Sequence, residues 1–233
     1  MTSPKTATVV ALFVRIPVPG RVKTRLAKKL GADGACELYK AIVTDVLQNI
    51  KNTGLSLYLF CDGMNDGNLP QEWIDASDKV VVQQGDCIGE RMAAAFECCF
   101  YEYIDKVILV GSDIPGIDAE VLLTAERNLE TCDVVIAPAA DGGYCLIAMK
   151  RNSFLPTVFQ NIPWSTGAVL RDTLEKCEEF RIDVELLAVL QDIDTMDDLK
   201  SYRLNPSATA CATNKWIEDA GFKHHGYIPR PLG

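Results

Sequence analysis

Lys23 and Arg25 stand in a stretch, Arg15-Ile-Pro-Val-Pro-Gly-Arg-Val-Lys-Thr-Arg-Leu-Ala-Lys-Lys29, that holds six basic residues and no acidic one. A lysine supplies a compact point charge and an arginine a bidentate fork, and both match phosphate oxygens. Gly20, after Pro19, lets a ligand approach the backbone closely, and a loop that feeds a basic helix start turns backbone N–H groups toward an anion. Arg15, Pro19, Gly20, Lys23, Thr24 and Arg25 are therefore candidate nucleotide-binding residues, with Lys23 and Arg25 the candidates for catalysis. The rest of the chain sharpens the contrast. Its formal net charge is −9, so this basic island suits a polyanionic small molecule and argues against nucleic acid as a partner.

The complementary chemistry is acidic. In Gly111-Ser-Asp-Ile-Pro115 an apolar run ends on Asp113, with Ser112 beside it and Pro115 to stop regular structure. A hard carboxylate there suits Mg²⁺ or Mn²⁺ bridging phosphate oxygens. In Asp192-Ile-Asp-Thr-Met-Asp-Asp198 two readings stand. Asp194 or Thr195 caps a short helix beside a solvated acidic turn, or Asp192 or Asp194 completes the metal site that Asp113 opens.

Three further segments are candidates. In Gln84-Gly-Asp-Cys-Ile-Gly-Glu-Arg-Met92, Gly85 and Gly89 bracket a turn into a helix where a base or ribose can pack. An ordinary strand-to-helix loop, with Arg91 as an ion-pair partner, fits equally. Asp141-Gly142-Gly143, before Tyr144, is a hairpin turn signal that also leaves room for an acceptor, with Asp141 able to bind hydroxyls. In Ile162-Pro-Trp-Ser-Thr166, Ser165 or Thr166 caps the following helix and Trp164 can stack on a ligand.

Familiar signatures are missing. Val22 stands where a P-loop requires glycine, and no Gly-x-Gly-x-x-Gly follows the first strand. Ser112 is not in a nucleophile elbow, and His224 and His225 read as surface residues of a tail.

These segments need elements to position them, and the pattern supplies them. Strands are expected at 9–14, 56–61, 79–83, 106–110, 133–137 and 145–149, with helices near 34–52, 89–103, 118–129 and 166–180. Met92, Phe96, Cys99 and Tyr103 recur at helical spacing, which marks a core-facing stripe. The alternation predicts a three-layer α/β/α fold with a mostly parallel sheet and ligands at the carboxyl ends of its strands. One domain over residues 1–204 is expected, then a C-terminal extension over 205–233 where periodicity fades. At 233 residues with 48% hydrophobic and 24% charged content the chain is globular. It has no apolar run of membrane-spanning length and no Cys-x-x-Cys, and its nine cysteines fit reduced thiols in the cytoplasm.

Taken in this order, the segments resemble the bacterial DUF2064-type, glycosyltransferase-like family of the nucleotide-diphospho-sugar transferase superfamily. The resemblance runs from Val9 to about Leu199. It rests on Pro17-x-Pro-Gly-x-Val-Lys-Thr-Arg-Leu26, Gln84-x-Gly, Gly89-Glu-Arg-Met92, Gly111-Ser-Asp-x-Pro115, Asp141-Gly-Gly-Tyr144, Trp164-Ser-Thr166 and Asp192-x-Asp-Thr195. It implies a GT-A, Rossmann-like fold, a phosphate loop at residues 20–25 and a metal ligand at Asp113, with Asp194 or Asp192 as the second. Arg15 stands where a lysine is usual, and Cys145 replaces a second aromatic residue. The family implies a Mg²⁺-dependent transferase that uses a nucleotide-activated donor, a nucleotide sugar, with a small-molecule acceptor. A lone aspartate in place of Asp-x-Asp makes nucleotidylyl transfer from a nucleoside triphosphate to a phosphorylated acceptor, with release of pyrophosphate, the second reading after sugar transfer. A nucleotide-binding module without turnover is the third reading.

Overall fold

The computed structural model describes residues 7–63 and 67–221. His224 and His225 lie outside the described residues. Seven strands form one sheet: β1 (Thr8–Arg15), β2 (Ser56–Asp62), β3 (Lys79–Val82), β4 (Lys106–Gly111), β5 (Val134–Pro138), β6 (Tyr144–Lys150) and β7 (Val184–Leu186). Their order is β3-β2-β1-β4-β6-β5-β7. All neighbours pair in parallel except β6, which runs antiparallel to both β4 and β5. The order reverses between β1 and β4, and the crevice beyond that reversal is where open α/β sheets hold ligands.

Strand β1 shows why the sheet is central. Val10, Leu12 and Val14 enter one apolar cluster while Val9, Ala11 and Phe13 enter another, so both faces of the strand are buried. The first cluster lies under α1 (Thr24–Thr53) and α4 (Ala119–Asn128). The second lies under α3 (Ile88–Tyr101) and α5 (Val169–Glu179). The layers are therefore α/β/α, as expected. A one-turn helix, α2 (Gln71–Asp75), buries Trp73 edge-on against Tyr39 of α1.

Differences from the expected elements have local causes. α1 begins ten residues early and is interrupted at Gly31, whose φ of 77° no helix accommodates. In α3 the stripe Met92, Phe96 and Cys99 is buried, with Phe96 stacked on Phe100, Phe154 and Phe159. Tyr103 departs from the stripe: the helix has ended, φ there is 62°, and the ring is exposed. α5 starts at Val169, so neither Ser165 nor Thr166 caps it. Thr166 Oγ1 instead donates to the carbonyl of Pro163 at 2.7 Å.

The chain closes with α6 (Met196–Leu204) and α7 (Cys211–Asp219), the latter not foreseen from the sequence. α7 has alanine at its N-cap and no cap of its own. Asp45, buried on α1, supplies one: its oxygens accept from the backbone N–H of Ala212 at 2.8 Å and Thr213 at 2.7 Å. Asp45→Ala is expected to lower the unfolding free energy by about 2 kcal/mol, the range for a charge-assisted cap. A denaturant titration with unchanged midpoint would remove this cap from the account.

Candidate active site

The carboxyl ends of β1, β2, β4 and the start of β6 border one cleft of about 580 Å³, large enough for a nucleotide. Its scaffold is a hydroxyl pair. The Tyr39 phenol lies 3.0 Å from Ser112 Oγ and accepts from the backbone N–H of Arg15 at 2.9 Å. Burial, with the nearby Asp113 charge, raises the pKa of that phenol, so it stays a neutral link between α1, β1 and β4.

Lys23 is the N-cap of α1, in left-handed backbone with φ 48°, and its side chain is only 2% exposed. Its Nζ lies 2.8 Å from Asp113 Oδ1. The contact is an ion pair off the direction a hydrogen bond requires, so among the described residues the buried ammonium has no hydrogen-bond acceptor. Both strain and desolvation oppose this arrangement, the pattern of a functional residue. Thr24 and Arg25, the next two residues, also border the cleft, and Arg25 Nη1 meets Asp194 Oδ2 at 2.9 Å.

The acidic side is built by the segment after β7. The backbone N–H of Ile193 donates to the Asp113 carbonyl at 3.0 Å, which carries Asp192 and Asp194 into the cleft. Asp198 fastens the turn, accepting from the N–H groups of Asp194 and Thr195. Thr195 caps α6 in a reciprocal capping box with Asp198. The Asp192 pKa is raised by burial, with Asp198, Asp141 and Asp113 adding to it and Lys23 opposing. Mutual repulsion of this kind is what a cation relieves. Among the described residues no three His, Cys, Asp or Glu side chains form a metal-holding group. The donor set fits Mg²⁺, which binds through one or two carboxylates and completes its shell with water and substrate phosphates.

Of the remaining candidates, Arg15, Arg91, Asp141, Gly143 and Tyr144 border the cleft. Arg91 faces inward to the protein: Nε donates to the Gly85 carbonyl at 3.1 Å and Nη1 meets Asp62 Oδ2 at 3.0 Å. Pro19, Gly20, Gln84, Gly85, Gly89, Gly142, Trp164, Ser165 and Thr166 do not line it. Asp141 Oδ1 accepts from the Gly143 N–H at 2.9 Å, the hairpin turn between β5 and β6. Gly142, at φ 90°, admits no Cβ because the Gly167 carbonyl oxygen would lie 2.3 Å away. The Tyr144 hydroxyl is buried, so only the body of the ring reaches the cleft. Trp164 packs edge-on against that ring, at 6.5 Å between centroids, and covers Gly89. A Cβ at Gly89 would lie 2.5 Å from the indole. Gly89→Ala is thus expected to displace Trp164 and cost about 1–3 kcal/mol, read as a fluorescence shift with a lower melting point. An unshifted spectrum in a stable variant would show the indole is not seated there.

Sequence reasoning missed Tyr39 and Asp62, and both border the cleft. Tyr39 sits mid-helix and reads as core; Asp62 ends β2, the one available signal. All nine cysteines are free thiols. Cys145 borders the cleft, but burial, with the surrounding aspartates, pushes its thiol up to about 12, which makes it inert as a nucleophile.

A family model described as "Uncharacterized protein conserved in bacteria (DUF2064)" matches residues 46–166, just over half of the chain. The chain belongs to the DUF2064 family. Across 91% of its length this DUF2064 protein superposes on a candidate nucleotide-diphospho-sugar transferase from Desulfovibrio desulfuricans G20, covering 97% of that chain at 35% identity and a TM-score of 0.81. It is also 23% identical over 211 residues to the 2-phospho-L-lactate guanylyltransferase of Methanocorpusculum labreanum, covering 88% of this chain and 86% of that one. The fold extends to the 4-diphosphocytidyl-2C-methyl-D-erythritol synthase of Anaerococcus prevotii, at 10% identity, a TM-score of 0.54, and 86% and 100% of the two chains. The first two of these relatives carry transferase names, a nucleotide-diphospho-sugar transferase and a guanylyltransferase. No helix of the described residues is long and apolar enough to cross a membrane.

Proposed function

We propose that this DUF2064 protein is a nucleotidylyltransferase that joins the nucleotide of a nucleoside triphosphate to a small phosphorylated acceptor and releases pyrophosphate. One observation carries the reading: a buried lysine ammonium, without a hydrogen-bond acceptor, faces a lone strand-end aspartate in the cleft at the reversal of strand order. That is a place for phosphate oxygens on one side and a cation on the other. The guanylyltransferase relative, matched over most of both chains, favours nucleotidylyl over glycosyl transfer and reverses the order in which the sequence ranks them.

An acceptor phosphate oxygen attacks the α-phosphorus in line, the new P–O bond forms, and the bond to the β-phosphate oxygen breaks as pyrophosphate leaves with that electron pair. Lys23 and Arg25 bind the phosphate oxygens on which charge gathers, releasing their pairs with Asp113 and Asp194 as they do so. Asp113, with Asp192 or Asp194, would hold a Mg²⁺ or Mn²⁺ ion, which would supply positive charge against the phosphate oxygens. Tyr39 and Ser112 keep the Lys23 and Asp113 backbones in register, and Asp141 and the Tyr144 ring border the acceptor side. The free thiols and a triphosphate substrate support a cytoplasmic enzyme.

A second reading is favoured by the relative at 35% identity: transfer of a sugar from a nucleotide-diphospho-sugar. Incubation with triphosphates or nucleotide sugars and a panel of phosphorylated acceptors separates the two. Released pyrophosphate supports the first reading. A freed nucleoside diphosphate without pyrophosphate supports the second and overturns the first.

A further inference from the structure

The β2–β3 end of the cleft carries a carboxylate that nucleotide transfer, as described, leaves unused. Asp62 closes β2, and its Oδ2 meets two arginines, Arg91 Nη1 at 3.0 Å and Arg15 Nε at 3.6 Å. Arg91 passes the restraint on, since its Nε holds the Gly85 carbonyl. From the same first turn of α3, Glu90 accepts from the backbone N–H of Asp86 at 2.7 Å. Loop 84–87 is thus held at two points by α3, and one of those points is braced from the neighbouring strand.

The charged groups form two linked sets. On one side are Lys23, Asp113, Asp192 and Asp194, joined through the Lys23–Asp113 and Ile193–Asp113 contacts; on the other are Asp62, Arg15 and Arg91, where Ile88 and Met92 of α3 add apolar surface. Triphosphate and metal belong on the first side, which leaves the second for a base. We propose that Asp62 is a positioning residue for the nucleoside end of the substrate, acting through Arg91 on loop 84–87 and directly on Arg15. The inference rests on the nucleotide-transfer reading. Without the carboxylate two long cationic side chains and a loop must be ordered at binding, so affinity falls. The reacting groups lie on the other side of β1 and keep their geometry.

Asp62→Asn keeps the shape and removes the charge. Calorimetric titration with GTP, CTP, ATP and UTP, each with Mg²⁺, first finds the triphosphate that wild type binds. For that nucleotide the variant is expected to bind about tenfold more weakly, from the loss of the ion pairs that order two arginines. KM should rise in step while kcat stays within about twofold. Arg91→Lys retains charge but loses the Nε donor, and it tests the same chain of contacts should Asp62→Asn fail to fold. The double variant should bind no more weakly than the worse single one, because both break one linkage. Unchanged affinity in either single variant, a fall in kcat at retained affinity, or additive losses in the double variant would overturn the inference alone. A wild type that binds none of the four triphosphates brings down this inference together with the nucleotide-transfer reading.

Discussion

Replacing Asp113 by asparagine is expected to slow nucleotide transfer about a hundred- to a thousandfold, with nucleotide KM changed far less. The amide fills the same space and leaves the backbone contact from Ile193 to residue 113 in place. It removes the charge that a divalent ion and the Lys23 ammonium both require. The Asp113 side chain is 47% exposed, but the buried Lys23 ammonium loses its charge partner, so the variant is expected to be less stable by about 3 kcal/mol and kcat is read well below its melting point. The signature is a kcat loss that raising the Mg²⁺ concentration does not restore. Full kcat in a folded Asp113→Asn variant would take this carboxylate out of the reaction.

Lys23→Met is expected to do something less usual: abolish most activity while leaving stability unchanged or raising it by about 1 kcal/mol. Removing one partner of a buried ion pair is costly where it leaves the other charge buried, and the cost falls where the remaining charge reaches water. Here the ammonium has no hydrogen-bond acceptor to lose, and its partner Asp113 regains water through its exposed side. Activity should fall about a hundredfold or more, since the positive charge meets the phosphate oxygens in the transition state. Paired thermal melts and turnover measurements check both halves. A strongly destabilised variant would show that the Lys23–Asp113 pair is structural, and unaltered turnover would show that it is not catalytic.

Much of this architecture can be read from the chain because its signals are local. The apolar runs at Val9–Val14 and Lys106–Val110 are strands buried on both faces, and the basic loop and Asp113 follow directly from their ends. What escaped depends on partners far away in sequence. α7 has no cap of its own because Asp45 provides it from α1. β7 is three residues long and exists by pairing with β5. Trp164 packs over Gly89 and edge-on against Tyr144, neighbours 75 and 20 residues away in the chain that no local pattern announces. For Arg91 the sequence leaves a base or ribose contact and an ion pair equally open, and only distant groups show what holds it, the Gly85 carbonyl and Asp62. Tyr39 carries no motif at all; only its contacts with Arg15 and Ser112 separate it from an ordinary core tyrosine.

The most direct test of the cleft is thermal unfolding with nucleoside triphosphates, with and without Mg²⁺, on wild type and on Lys23→Met. A ligand at about a hundred times its Kd adds about 2.7 kcal/mol, which for a chain of this size is a rise of roughly 5–10 °C. The account predicts that rise for at least one triphosphate, larger with Mg²⁺ and absent in Lys23→Met. An equal rise in both proteins, or none in wild type with any triphosphate, contradicts it.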